Sequence, residues 1–236
     1  MDLVTGEWIL LCDSDDTLVQ GAIQNLSGRI TDDVDCIVAG YNEANTEGDI
    51  TYTPGKNYKL RLTYSEALLD LYKPKYLKYN GFLWNRLIRA SVVRLNHLRF
   101  KENIHYREDC LFITELICCS KKDLVYISTP VYNYYINPNG AMFSLSKGFP
   151  YKFLTELDSR NLSNTIVRKS TSIRDYKLRY KSAVSVIEGY DWIISLMDKF
   201  AVDERHKREE LLERTKRSVS GAFYLLYRLK IQRTLV

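Results

Sequence analysis

Asp13, Asp15 and Asp16 place three carboxylates within four residues. Carboxylates this close repel one another unless a cation neutralises them, and hard oxygen ligands suit Mg²⁺ or Mn²⁺ shared with substrate phosphates. Residues 7–12 form a short run that is apolar from Trp8 onward without alternation, which predicts a strand buried on both faces, as in a parallel sheet. The cluster would then follow the carboxyl end of a strand, where open α/β sheets bind ligands. We interpret it as a divalent-cation site; the alternative is a helix N-cap with acids stabilised by the helix dipole.

A second acidic pair, Glu108 and Asp109, opens a helix predicted over residues 108–119. The dipole at a helix N-terminus favours an ionised carboxylate by ~0.3–1 kcal/mol. An ionised Asp can act as a general base towards a hydroxyl. The alternative is an ordinary first helical turn, in which acidic residues are common.

Trp84, Asn85 and Arg86 combine an aromatic plane, an amide and a permanent cation near the start of a helix predicted over residues 82–95. Such a set suits sugar stacking and anion binding, although a Trp on an amphipathic helix is more often part of a core. The tyrosines of residues 132–135 alternate as in a strand, and cross-strand packing is their default explanation.

The remaining pattern predicts strands, helices and one capping box. A helix at 17–30 and a strand at 34–39 complete a strand-helix-strand unit, and Thr63 and Glu66 have the spacing of a capping box for a helix at 65–72. Further strands are predicted at 49–53, 124–127 and 131–135, and further helices at 174–200, 204–216 and 221–232.

The composition is that of a soluble globular protein, with 45% hydrophobic and 27% charged residues. No apolar run approaches the ~20 residues that span a bilayer. Five cysteines without a C-x-x-C pair and three histidines argue against a disulfide framework or a His/Cys metal centre. These features predict a cytoplasmic protein.

Charge divides the chain near residues 147–148. Residues 1–146 carry 15 Lys and Arg against 18 Asp and Glu, whereas residues 147–236 carry 19 against 11. We therefore predict a domain over 1–146, net negative, followed by a basic helical extension over 147–236.

The order and spacing of these motifs resemble the family 2 glycosyltransferases of GT-A fold, over residues 3 to about 144. Residues 6–16 resemble the segment that ends in the D-x-D motif, and residues 100–104 lead to Glu108-Asp109 as in the segment that supplies the catalytic base. The resemblance implies an α/β fold: a partial GT-A, Rossmann-like mixed sheet flanked by helices and followed by a helical C-terminal region.

The resemblance also implies roles for particular residues. Asp15, with Asp13 and Asp16, would hold Mg²⁺ or Mn²⁺ against the diphosphate of a nucleotide sugar. Asp109 would deprotonate the acceptor hydroxyl for inverting transfer, Glu108 and Trp84 would shape the sugar pocket, and Ser144 would contact phosphate. The implied partners are a nucleotide-sugar donor and a saccharide or lipid-linked acceptor in cell-surface polysaccharide synthesis, with no nucleic acid.

Members of that family begin with two strand-helix units that grip the nucleotide. Residues 2–6 resemble the end of the last helix before the D-x-D strand. The sequence therefore predicts a chain without its nucleotide-recognition half, and weak nucleotide binding by this chain alone.

Two other classes of function compete. Residues 9–18 also resemble the first motif of haloacid-dehalogenase phosphatases, with Asp13 as nucleophile and Asp15 as acid-base group, but Asp16 stands where that family has Gly. Alternatively, the C-terminal helices could lie on an anionic membrane surface, as a peripheral protein or a non-catalytic remnant. The cations that would contact such a surface are Arg214, Lys216, Arg217, Arg228, Lys230 and Arg233.

Overall fold

The computed structural model divides the chain into two compact units. Unit 1 comprises Met1–Arg99 and Glu115–Ser146, and unit 2 comprises Phe100–Thr114 and Lys147–Val236. Within these bounds the structure describes residues 1–54, 58–72, 81–137, 154–172, 174–200, 202, 204–220, 224, 227 and 228.

Unit 1 is built on one mixed sheet. Its strands are β1 (Trp8–Leu10), β2 (Thr17–Leu18), β3 (Val34–Ala44), β4 (Ile50–Tyr52), β5 (Lys59–Leu62), β6 (Arg86–Arg89) and β7 (Asp123–Tyr135). The order is β1-β6-β3-β7-β2, with β4 on β3 and β5 on β7. Among the described strands only β3 and β7 pair in parallel.

The β3–β7 pair lies at the centre of the sheet, where residues 34–41 of β3 are all buried and mostly apolar, as expected for a strand covered on both faces. The register between the two strands shifts at Gly40. A Cβ at Gly40 would lie only 2.1 Å from the carbonyl oxygen of Ser128, so the close approach of the two backbones requires glycine.

Helices α1 (Ala22–Ser27), α2 (Tyr64–Tyr72) and α3 (Ala90–Leu95) complete unit 1. The capping box that opens α2 is confirmed: the Thr63 amide donates to Glu66 Oε2 at 2.9 Å, and the Glu66 amide donates to Thr63 Oγ1 at 3.3 Å. Both α1 and α2 pack against β7.

Unit 2 is helical. It contains the first half of α4 (Glu108–Ser120), which ends in unit 1, together with α5 (Thr155–Ser170), α6 (Tyr176–Lys199) and α7 (Arg205–Val219). The three later helices share an apolar core that includes Leu157, Ile187 and Leu211. Of these, α5 was not individually predicted, and most of the predicted helix at 221–232 lies outside the described residues.

The α/β class is confirmed, but two predicted helices were wrong in part. Residues 86–89 form β6 because they pair with both β1 and β3, and only Ala90–Leu95 is helical. Residues 17–18 form β2 on β7, which leaves α1 shorter than predicted. In both places pairing with distant strands overrides a helix-like spacing.

Strand β1 also differs from its prediction. Its described partner is the antiparallel β6, and it presents a buried Ile9 between half-buried Trp8 and Leu10. The two predicted strands at 124–127 and 131–135 are one continuous β7. No described helix combines the length and apolar character needed to cross a bilayer.

Candidate functional site

The acidic loop, defined here as residues 13–16, follows β1 and is fastened to β7. The amide of Asp13 donates to the hydroxyl of Tyr132 at 2.9 Å, and that hydroxyl donates to Asp16 Oδ2 at 2.8 Å. The amide of Tyr135 donates to Asp16 Oδ1 at 2.8 Å. Both carboxylate oxygens of Asp16 therefore accept hydrogen bonds from β7, so this side chain anchors the loop.

Burial sets the electrostatics of the anchor. It raises the pKa of Asp16, an effect that the hydrogen bonds from Tyr135 and Tyr132 oppose and the neighbouring Asp15 charge reinforces. Burial, with the adjacent Asp16 carboxylate, also raises the pKa of Tyr132. Tyr132 therefore stays protonated at neutral pH and remains a donor to Asp16.

Asp13 and Asp15 are exposed to solvent on the same loop. Within the described part of the chain, no three His, Cys, Asp or Glu side chains come together as a ligand set for a metal ion. Two exposed carboxylates nevertheless fit Mg²⁺ or Mn²⁺, because Mg²⁺ typically takes one or two protein carboxylates and completes its shell with water and substrate phosphates.

The predicted sugar-binding set of residues 84–86 lies inside the core of unit 1. Trp84 is 5% exposed and stacks on Tyr132 and Tyr134 at centroid distances of 4.6 and 5.5 Å. Asn85 Nδ2 donates to the Ala39 carbonyl at 3.1 Å, and Arg86 is fully buried. In this arrangement the three side chains support the strands below the acidic loop.

The segment that opens α4 is fixed from α5, within unit 2. The Arg107 carbonyl accepts hydrogen bonds from Ser159 Oγ at 2.8 Å and from the Leu111 amide at 3.1 Å. Arg107 has a φ of 58°, in the left-handed region, so the chain turns sharply just before Glu108 and Asp109. Both acids are half-buried in the first turn of α4.

A buried ion pair lies beside this turn. Glu156 is 2% exposed, and its Oε1 lies 2.6 Å from Arg160 Nε and 3.6 Å from Arg107 Nε. Sequence reasoning missed these residues. The available signal was the Glu-Arg spacing of four residues at a helix start, a pattern that is too common to identify a site.

The predicted site residues therefore fall into separate groups. The acidic loop and residues 84–86 belong to unit 1, whereas Glu108 and Asp109 belong to unit 2. Ser144 lies outside the described residues.

The fold is that of part of a glycosyltransferase. The solved structure of S. aureus TarS 1–349 in complex with UDP-GlcNAc is similar over 94% of this chain and 60% of that chain, with a TM-score of 0.67 and 14% sequence identity. The corresponding complex with UDP covers 94% of this chain and 59% of that chain, with a TM-score of 0.65 and 13% identity.

This chain thus spans less than two thirds of the TarS 1–349 structures that it matches. No family model matches the sequence. No curated protein matches it either.

Proposed function

We propose that this chain is the acceptor-side part of a nucleotide-sugar-dependent glycosyltransferase of family 2 type. It would transfer a sugar from a nucleotide-diphosphate donor to an acceptor hydroxyl with inversion, in the synthesis of a cell-surface polysaccharide. The acceptor would be a saccharide or a lipid-linked saccharide.

The acidic loop carries this proposal. It follows a strand of a sheet whose fold is shared with TarS, a protein solved with UDP-GlcNAc and with UDP. The anchoring of Asp16 to Tyr132 and Tyr135 holds the loop in one conformation, and this leaves Asp13 and Asp15 at the surface. Such a fixed pair of carboxylates suits a cation that also contacts a diphosphate.

The residues of the acidic loop have two different roles, cation binding and positioning of the ligands. Asp13 and Asp15 would hold Mg²⁺ or Mn²⁺, while Asp16 fixes their position from β7. When bound, the cation supplies positive charge that offsets the charge developing on the departing diphosphate.

The acceptor side would be served by Asp109 as general base and by Glu108 as a pocket residue. Both side chains lie in the first turn of α4, and the hydrogen bond from Ser159 of α5 to the Arg107 carbonyl fixes the start of that turn. The orientation of the two carboxylates is therefore defined. Residues 84–86 would act from the core by supporting the sheet, and Ser144 remains the proposed phosphate contact.

The shared fold favours this function over a phosphatase with Asp13 as nucleophile. A phosphatase would also leave the fixed turn before Glu108 and Asp109 without a role.

Manganese binding tests the donor side. Free Mn²⁺ is measured by electron paramagnetic resonance while the full chain is titrated with and without UDP. Because this chain alone is expected to bind nucleotide weakly, UDP is added at millimolar concentration. We then expect UDP to increase the amount of Mn²⁺ bound, and Asp15→Asn to abolish that increase. Asp32→Asn, which removes one exposed carboxylate elsewhere in unit 1, is the matched control and should bind as the wild type does. The proposal would be contradicted if UDP did not change Mn²⁺ binding, or if the UDP-dependent increase remained in Asp15→Asn.

Release of UDP from a UDP-sugar in the presence of acceptor tests the acceptor side. Loss of a general base lowers the rate by about 10²–10⁴-fold. Asp109→Asn should therefore lose transfer while keeping UDP-dependent Mn²⁺ binding. Retained transfer would remove Asp109 from the proposed mechanism without affecting the donor site.

A further inference from the structure

Positive charge is concentrated where α5 and α6 meet. Residues 168–172 and 174–181, together called the basic tip here, include the last turn of α5 and the first turns of α6 and contain six cationic residues and one acid. The cations are Arg168, Lys169, Arg174, Lys177, Arg179 and Lys181, and the acid is Asp175.

Most cations of the basic tip have no ion pair with another described residue. Elsewhere in unit 2 many cations are paired: Arg160 with Glu156, Arg208 with Asp198, and Arg214 with Asp158. In the basic tip, by contrast, five cations form no ion pair within the described part of the chain. They are Arg168, Lys169, Arg174, Lys177 and Lys181.

Helix electrostatics account for only part of this charge. Arg168 and Lys169 lie in the last turn of α5, where cations are favoured by the helix dipole. Lys177 lies in the first turn of α6, where the dipole disfavours a cation, and that turn contains no acid. A cation at a position where the helix dipole disfavours it does not stabilise the helix, so its presence points to a function.

Hydrogen bonds hold the basic tip in one shape. Arg179 Nη2 donates to the carbonyls of Arg168 at 2.5 Å and Thr171 at 3.2 Å, so it joins the two helix ends. The Ser172 amide donates to Asp175 Oδ2 at 2.9 Å, which occupies the one acid of the segment. The cations are therefore presented from two helix ends that hydrogen bonds join to one another.

We propose that the basic tip binds the surface of an anionic phospholipid bilayer. Clusters of four to eight Lys and Arg residues are typical of such contacts, and Tyr176, which is 66% exposed, supplies an amphipathic ring suited to the lipid headgroup level. An extended anionic surface can contact the cations of both helix ends at once.

This assignment differs from the membrane surface predicted for the C-terminal helices. There, Arg214, Lys216 and Arg228 are engaged with Asp158, Glu213 and Asp191. The proposal also stands independently of the glycosyltransferase function, because it uses no residue of the acidic loop or of the Glu108-Asp109 pair.

Co-sedimentation of the full chain with vesicles tests the proposal. The vesicles contain phosphatidylcholine alone or with phosphatidylglycerol, at low and high salt. We expect binding only to the anionic vesicles, weakened by salt. Each cation beside such a surface contributes about fivefold in partitioning, so the triple variant Arg174→Gln, Lys177→Gln, Lys181→Gln should bind about 100-fold more weakly.

A matched control separates the basic tip from net charge. The variant Arg29→Gln, Lys59→Gln, Lys199→Gln removes three exposed cations from other places and should bind almost as the wild type does. The melting temperature of the tip variant should stay equal or rise, since α6 loses unfavourable charges from its N-terminal end.

Three outcomes would overturn the proposal. These are equal binding by the tip variant and the wild type, equal weakening by the control variant, and binding to a soluble polyanion such as heparin without binding to anionic vesicles. The last would indicate an anionic polymer as the partner.

Discussion

At the scale of single residues, the anchor between Asp16 and Tyr132 explains how an acidic loop keeps a defined shape. One phenol hydroxyl accepts from the Asp13 amide and donates to the Asp16 carboxylate. A hydrogen bond to a charged group contributes about 1.5–3 kcal/mol. The loop therefore depends on one side chain far away in the sequence.

Replacing Tyr132 by Phe should release this anchor. We expect the free energy of unfolding in urea to fall by about 1–3 kcal/mol, because Asp16 and the Asp13 amide both lose a partner. UDP-dependent Mn²⁺ binding should weaken as well. Tyr176→Phe, which removes an exposed hydroxyl, is the control. Equal stability of the two variants would show that the anchor contributes nothing.

The raised pKa of Asp16 predicts a pH dependence. The pKa of Asp16 in the folded state lies above its ordinary value of 3.8. Between these two pKa values, the folded state therefore binds more protons than the unfolded state. Its contribution to stability is therefore fully present below pH 3.8 and is lost as the pH rises through the raised native pKa. The unfolding free energy of the wild type, measured relative to that of Asp16→Asn, should therefore be larger at low pH than at neutral pH. A shift in the opposite direction would contradict this prediction.

The ion pair between Glu156 and Arg160 predicts coupling inside unit 2. Removing one partner leaves the other buried and unpaired, so Glu156→Gln should destabilise by about 3 kcal/mol. In a double-mutant cycle with Arg160→Gln, we expect a coupling free energy of about 1–3 kcal/mol from urea unfolding. Glu188→Gln, on the exposed face of α6, is the control. Additive effects would mean that the two side chains do not stabilise one another.

At the scale of elements, the close spacing of the parallel strands β3 and β7 limits which side chains the sheet can accommodate. The two backbones approach most closely at Gly40, where the register shifts. Because the nearest atom to an added Cβ is a backbone carbonyl oxygen, no side-chain rotation can relieve the clash.

Gly40→Ala should therefore destabilise unit 1 by about 1–3 kcal/mol or more, as overpacking does. Gly6→Ala is the matched control, since its Cβ would meet its nearest atom at 3.4 Å, an ordinary contact. Thermal melting followed by circular dichroism compares the two. A Gly40→Ala chain as stable as the Gly6→Ala chain would show that the β3–β7 spacing is adjustable.

At the scale of the whole molecule, the five cysteines are thiols outside any disulfide and differ in burial. Cys12 and Cys119 are exposed, whereas Cys36 and Cys118 are buried. Burial raises the pKa of the Cys36 and Cys119 thiols, and a thiol reacts through its thiolate.

A thiol-reactive chromogenic disulfide should therefore label the folded chain in order. Cys12 should react first and Cys119 more slowly, while Cys36 and Cys118 should react only after unfolding in urea. Mass spectrometry of the labelled peptides reports the order, and Cys12→Ser is the control that removes the fast phase. Fast labelling of Cys36 in the folded chain would contradict the buried position of β3.

Local signals in the sequence were sufficient for several features. The capping box at Thr63 and Glu66, the helix that opens at Glu108, and the position of the acidic loop after a strand all depend on residues a few positions apart. Backbone propensity, capping and apolar periodicity act over that distance, so one sequence is enough to predict them.

What the sequence by itself determined is thus the α/β class and the placement of the acidic motifs at element ends. The tertiary structure decided that residues 86–89 pair as a strand, that Trp84 is buried, and that Asp16 serves as an anchor. The Asp13 amide and the Tyr132 hydroxyl are 119 residues apart in the chain. A contact of that kind depends on how the strands align across the sheet, and no local pattern of side chains specifies that alignment.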